Sequence, residues 1–246
     1  LDTLPVELLY EIHFYALSEF LPHASRRLHA VFKSAPPTVH AEYLLGRCLP
    51  LPKQKPHACP IARALRYPIC TQPVLDALLR HPSCPEPSTD PLPLPRRLFP
   101  AGAPPPGGFK DRHAPLPFLR HLFSHPRLPT PDPNSHDGYP LVRAVVAGHT
   151  PLVRFLLDHG AAPKRKDGLA VLAAIRRRDL ALVKLLVEPP AQGGQAARGK
   201  RRRMPDRVEV GPLMLKTAVQ CQADDIVEYL MKEKGCVPDM KTITMV

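Results

Sequence analysis

Twelve histidines and six cysteines are the side chains of this 246-residue chain best suited to bind a metal or attack an electrophile. Neither set has the spacing such chemistry needs. The cysteines stand at positions 48, 59, 70, 84, 221 and 236, with no C-x-x-C pair among them. A metal reading would draw on His57, Cys59, Cys70 and Cys84, whose wide separations fit no common zinc module. The thiols are therefore expected to be reduced, and no metal or cofactor is expected. The chain holds no G-x-S-x-G elbow, no phosphate-cradling Gly-Lys-Thr/Ser loop and no H-E-x-x-H helix. His81, His125 and His159 each follow an apolar, helix-length segment at the same point. One position repeated along a stack is a structural recurrence, because its copies stand a whole repeat apart and cannot converge on one substrate. No catalytic residue is assigned, and the chain is expected not to be an enzyme.

Charge offers binding chemistry instead. The formal net charge is +12. Arg143, Lys164, Arg165, Lys166, Arg176 and Arg177 are candidate contacts for a protein client; for the run Arg176, Arg177 and Arg178 the plainer reading is a solvated helix end, with an acidic partner as the alternative. Lys200, Arg201, Arg202 and Arg203, followed by Pro205, have the composition of a nuclear-import run or of a solubilising loop. The remaining charge is spread along the chain and no base-reading motif accompanies it, so direct nucleic-acid binding is the weaker reading. No apolar run approaches the ~20 residues needed to span a bilayer. With no signal-peptide pattern at its start, the chain is expected in the cytoplasm, the nucleus or both.

The scaffold that must position these groups is a repeat. Asp137–Gly160 and Asp167–Glu188 are one pattern written twice at an offset of 30 residues, pairing Asp137 with Asp167, Ala144 with Ala174, Val153 with Val183 and Leu156 with Leu186. Leu141, Ala144 and Val145 give a short helix one apolar face, Gly148 breaks it, and Pro151 opens a second helix carrying Leu152, Val153, Leu156 and Leu157. Gly160 ends that helix, and Lys164–Gly168 forms the turn to the next unit. The second-helix pattern recurs at Pro73–Leu79, at Pro117–Phe123 and at Ile226–Met231. Ile61, Ala64 and Leu65 mark a first helix ahead of Pro73. Leu94 and Leu98 suggest another ahead of a Pro/Gly-rich insertion, which is expected to be a mobile loop. Such hairpins cannot bury their apolar faces alone and must stack.

The pattern carried by Asp137, Gly138, Pro140, Leu141, Ala144, Gly148, His149, Val153, Leu156, Leu157, Gly160 and Ala161 resembles the ankyrin repeat. It departs from that family at Tyr139 and Val142, and the second copy has Arg178 and Asp179 in place of Gly-His. The opening, Leu4, Pro5, Glu7, Leu8, Leu9, Ile12, Leu21, Ser25, Arg26 and Leu28, is similar to the F-box. It departs in a short segment between Ile12 and Ser25 and in having no Trp after Arg27. Thr3 is expected to cap this first helix, with Pro5 in its first turn. A second helix is expected from Ser18 or Pro22 to Phe32, and a third over Val39–Arg47.

The combination resembles fungal proteins that join an F-box-like start to ankyrin repeats. The resemblance implies an all-α chain: a small helical F-box-like segment over residues 1–48, a Pro-rich linker over 49–58, and about five ankyrin-type repeats in a solenoid over 59–246. Insertions are placed near 100–113 and 189–209. It implies a non-catalytic substrate-recognition subunit of an SCF-type ubiquitin ligase, monomeric within a hetero-complex. Leu4, Pro5, Leu8, Leu9 and Ile12 would meet a Skp-type adaptor. The alternatives are a plain ankyrin scaffold or inhibitor whose first helices are only a cap, and a basic nuclear factor contacting nucleic acid.

Overall fold

Proline and small polar caps decide where the helices of this chain begin. The computed structural model describes residues 3–48, 59–85, 90–100, 102, 104–189 and 207–238. They are mostly helical, and none of the described helices is long and apolar enough to cross a membrane. The expected linker at 49–58, the basic run Lys200–Arg203, most of the insertion near 189–209 and the residues after 238 lie outside the described residues. The chain divides into two compact units, Leu1–Leu98 with Pro117–Asp132, and Phe99–Leu116 with Pro133–Val246.

In the first unit, α1 spans Val6–Ala16. Its N-cap is Pro5 rather than Thr3, with ψ at 152° and no side-chain cap. A proline fits the boundary because its missing N–H is one the helix end could not pair. The helix stops at Leu17, a left-handed residue (φ 46°) whose N–H donates to His13 O at 3.0 Å. The Leu17 side chain lies against Gly46, where an added Cβ would fall 2.7 Å from Leu17 Cδ2. A 3-10 turn, Leu21–His23, precedes α2 (Arg26–Lys33). This helix starts later than expected because Ser25 caps it, its Oγ accepting the Leu28 N–H at 3.1 Å.

Leu9, Leu28 and Phe32 form the N-terminal core, flanked by Leu4, Tyr10, Leu21 and Val31. Next come α3 (Pro37–Cys48), α4 (Pro60–Ala64) and α5 (Gln72–Arg80), with α1, α4 and α5 all packed on α3. The helix expected around Leu94 and Leu98 is not there. Leu92–Pro93 instead pairs in parallel with Pro131–Asp132, and only a 3-10 turn follows, at Arg96–Leu98. Pro93 and Pro95 bias their preceding residues towards extended backbone. Arg97 secures this stretch through bonds from its guanidinium to Leu65 O and Cys70 O. After the insertion, α6 spans Leu116–Ser124.

The second unit is built on three helix hairpins: α7 (Ser135–Ala147) with α8 (Thr150–Asp158), α9 (Arg165–Arg176) with α10 (Leu180–Val187), and α11 (Pro212–Gln220) with α12 (Asp224–Glu228). First helices stack on first helices, α7 on α9 and α9 on α11, while α10 also meets α12. The turn inside each hairpin is the same. Gly148, Arg178 and Gln222 are left-handed, at φ 74°, 55° and 52°. The next residue donates its N–H back five positions: His149 to Ala144 O at 2.9 Å, Asp179 to Ala174 O at 3.3 Å, Ala223 to Ala218 O at 3.1 Å. The 30-residue period also appears in the lead-in turns, where His136-Asp137-Gly138 and Lys166-Asp167-Gly168 are all left-handed. Asn134 joins one such turn to the loop after α8, donating to Gly160 O at 3.1 Å and accepting the Ala162 N–H at 2.8 Å.

Two expectations fail here. The insertion is not merely a free loop, because Phe109 stacks on His149 with ring centroids 4.3 Å apart. Met231, expected in the core, is exposed, and Tyr229 is buried in addition to Leu230. The last helix widens into a π turn over Tyr229–Glu233, with Lys234 N–H donating to Tyr229 O. The buried face thus runs Ile226, Tyr229 and Leu230, the i, i+3, i+4 set, which leaves Met231 outside it.

Candidate functional site

Pro5, Leu8, Ile12 and Tyr15 follow one another at helical spacings of three or four residues, so they share one face at the start and along the length of α1. Pro5 is exposed, Leu8 is 44% and Tyr15 81% accessible, and Ile12 is half-buried. Val6, Phe14 and Phe20 add exposed apolar surface on the same segment. The neighbouring face, roughly 100° round the helix, supplies the core. Leu9 is 1% accessible against Leu28 and Phe32, so its assignment to the docking face is corrected: it is a core residue. Leu4 is half-buried at the edge of the same cluster. Arg27, from the S-R-R-L stretch, donates to Leu4 O at 3.0 Å and ties the lead-in of α1 to α2.

One turn beyond Leu9, His13 enters the same interior. Its ring stacks on Tyr43 at 4.1 Å and lies 4.4 Å from Phe32. Its Nδ1 is buried with no hydrogen-bond partner. Burial, and secondarily the neighbouring His40, lower its pKa to about 4, so the ring is neutral at pH 7. Beside it opens a cleft of about 690 Å³, lined by His13, Phe32, His40, Tyr43, Tyr67 and Val74 among others. Arg47 borders this region, donating to Leu17 O at 2.7 Å and pairing with Glu19. The sequence signal for His13 was its position four residues after Leu9, inside an apolar stripe.

The basic candidates separate into two kinds. Arg143 is half-buried and donates from Nε to Phe99 O at 3.4 Å. Arg177 donates from Nη1 to Val146 O at 2.8 Å, and its guanidinium lies over Gly148, where an added Cβ would fall 2.3 Å from Nη2. Both also bond within the fold, Arg143 half-buried and Arg177 exposed, so each contributes to the scaffold as well as to the charged surface. Lys164, Arg165 and Lys166 are exposed at the start of α9, Lys166 in its left-handed turn, and Arg176 is exposed at the end of that helix. With the exposed Arg177 and the half-buried Arg143 they make up the candidate basic surface.

Of the three recurrent histidines, two share a local role. His81 Nδ1 accepts the Ser83 N–H at 3.1 Å, and His125 Nδ1 accepts the Arg127 N–H at 3.2 Å. His159 instead bonds Phe155 O at 2.7 Å. A different histidine, His149, caps α8 by accepting the Leu152 N–H at 3.2 Å, and Asp179 does the same for α10 at 3.0 Å. No disulfide links the six cysteines. Burial pushes Cys48 up to about 11 and Cys70 up to about 12, so both stay protonated at neutral pH and are poor nucleophiles. One constellation escaped the sequence reading: Asp76 on α5 meets His121 on α6, with His125 beside them. Compared with protein-family models, with curated proteins and with solved structures, the chain matches none of them.

Proposed function

We propose that this chain is a non-catalytic recognition subunit of an SCF-type ubiquitin ligase, its N-terminal helices docking on a Skp-type adaptor and its ankyrin-type hairpins holding a protein client. The observation that carries the reading is the exposure of Pro5, Leu8 and Tyr15, with Ile12 half-buried between them, on a helix whose core is already supplied by Leu9 and His13. Apolar surface beyond what the fold uses is what a partner groove can cover. Lys164, Arg165, Lys166 and Arg176 would meet acidic groups of the client. Such a subunit works by proximity, raising the effective concentration of a client lysine near a charged ubiquitin carrier while making no bond itself.

The half-burial of Leu4 and Ile12 favours a second reading, in which these helices are a cap on a plain ankyrin scaffold. Co-expression of the whole chain with a Skp-type adaptor, followed by pull-down, separates the two. The ligase reading expects adaptor retention by the intact chain and its loss in Leu8→Asp with an unchanged melting curve. An intact chain that retains no adaptor removes that reading. A Leu8→Asp chain that melts early would place Leu8 in a cap.

A further inference from the structure

The geometry points to a divalent transition-metal site of the zinc class made by Asp76, His121 and His125. His121 lies in the last turn of α6 and His125 immediately follows that helix, so the i, i+4 pair presents two imidazoles on one side, one turn apart. Asp76 comes from the middle of α5. One ligand atom from each of the three lies within 4.8 Å of the others, and all three residues are half-buried. Among the described residues no other His, Cys, Asp or Glu group converges in this way.

Two neutral imidazoles and one carboxylate are donors that suit zinc or a similar first-row ion, and three protein ligands leave a coordination position for water. Around a tetrahedral ion with bonds of ~2.0 Å, ligand atoms stand roughly 3.3 Å apart. His121 Nε2 and Asp76 Oδ1 are 2.7 Å apart, a hydrogen bond that must widen slightly on loading. The His121 and His125 rings, 5.4 Å between centroids and nearly edge to face, leave the approach that His125 must close.

Of the surrounding contacts, one can serve a loaded state and one must be given up. Gln72 Nε2 lies 3.4 Å from His121 Nδ1. With the metal on Nε2, the Nδ1–H would donate to the same amide turned over, the outer support that metal-bound imidazoles require. His125 gives up the bond it accepts from Arg127 N–H, a donor on an exposed residue that water can serve. The metal would fasten α5 to α6, which the present hydrogen bond does only through one histidine.

The test is zinc titration of the intact chain by calorimetry, with cobalt substitution read in the visible spectrum. Wild type should take up one equivalent with a tetrahedral cobalt spectrum and melt higher in its presence. His121→Gln, His125→Gln and Asp76→Asn should each weaken that binding by at least about tenfold. Asp76→Asn is the discriminating variant, because asparagine can keep the hydrogen bond to His121 while losing the anionic ligand. Its melting curve without metal should match wild type, and zinc should no longer raise it. No stoichiometric uptake by wild type, or uptake unchanged in Asp76→Asn and in the histidine variants, would overturn the site and leave a hydrogen-bonded trio.

Discussion

Helices α1 and α9 are both apolar on more than one face, and the fold treats them in opposite ways. In α9 the run Ala170, Val171, Leu172, Ala173, Ala174 and Ile175 is buried without interruption, because α7, α10 and α11 enclose the helix. In α1 only Leu9 and His13 are buried, while Leu8 and Tyr15 face outward. A helix that is apolar all round must be enclosed or must expose a surface that something else can cover. The same kind of sequence signal therefore marks scaffold in one place and a candidate interface in the other. Substitutions separate the two by which property they change.

The largest effect belongs to the enclosed helix. Ile175→Ala removes a side chain with no accessible surface and should cost about 2–5 kcal/mol, since its neighbours on all sides cannot collapse into the space. Urea unfolding of the second unit's hairpins checks this. A midpoint close to wild type would mean that α9 is less tightly held than its burial indicates.

Acid should break the comparison from the other side. The buried run of α9 contains no titratable group, whereas the inner face of α1 contains His13, with His40 near it. His13 is lowered to about 4 in the folded chain from 6.5. The unfolded chain therefore binds more protons between those values. Stability from this residue is complete above about pH 6.5 and is lost as pH falls towards 4, by on the order of 3 kcal/mol if the shift is fully expressed. Hydrogen exchange should show α1 losing protection between pH 7 and pH 5 while α9 keeps its own, with intrinsic exchange rates corrected for pH. His13→Phe, which preserves an aromatic stack on Tyr43, should remove the difference. Equal pH responses of α1 and α9 in wild type would show that His13 does not govern the N-terminal helices.

A smaller effect compares hairpin with hairpin. His149 and Asp179 accept the equivalent N–H at the start of α8 and α10. Asp179→Ala should cost about 1 kcal/mol, and Asp179→Asn only a few tenths, because asparagine caps as well as aspartate. Denaturation midpoints of the two variants give the answer, and equal losses would place the contribution in charge rather than in the cap.

These hairpins were legible because their signals are local. The 30-residue offset, the break at Gly148 and the turns at Asp137 and Asp167 follow from backbone preferences within a few residues. What stayed hidden depended on distant partners. Nothing in an arginine announces that Arg178 will take the left-handed position that Gly148 fills one repeat earlier. Leu8 and Leu9 read alike in an apolar stripe, and only α2 decides which one turns inward. Met231, exposed inside the π turn, carries no local signal that separates it from the buried Leu230. For the metal candidate, His121 and His125 stand four residues apart in the sequence, but the third member lies on α5, and His125 also falls on the position shared by His81 and His159. Tertiary contact, not composition, joined the three.

The smallest effect on stability carries the most information about function. Leu8 is 44% accessible against 1% for Leu9, so Leu8→Ala removes far less buried surface than Leu9→Ala and, as a surface substitution, should change stability by about 0.5 kcal/mol. Leu9→Ala, one residue on, should cost about 2–5 kcal/mol because it opens the cluster with Leu28 and Phe32. If α1 offers a docking face, Leu8→Ala should weaken adaptor retention in the pull-down while its urea midpoint stays near the wild-type value. Leu9→Ala should affect retention only in proportion to the chain it unfolds. A cap makes the opposite statement: retention is absent from the start, and Leu8 and Leu9 differ only in how much stability each provides. The adjacent pair thus separates a surface kept for a partner from one kept for the fold, without relying on any substitution that introduces charge.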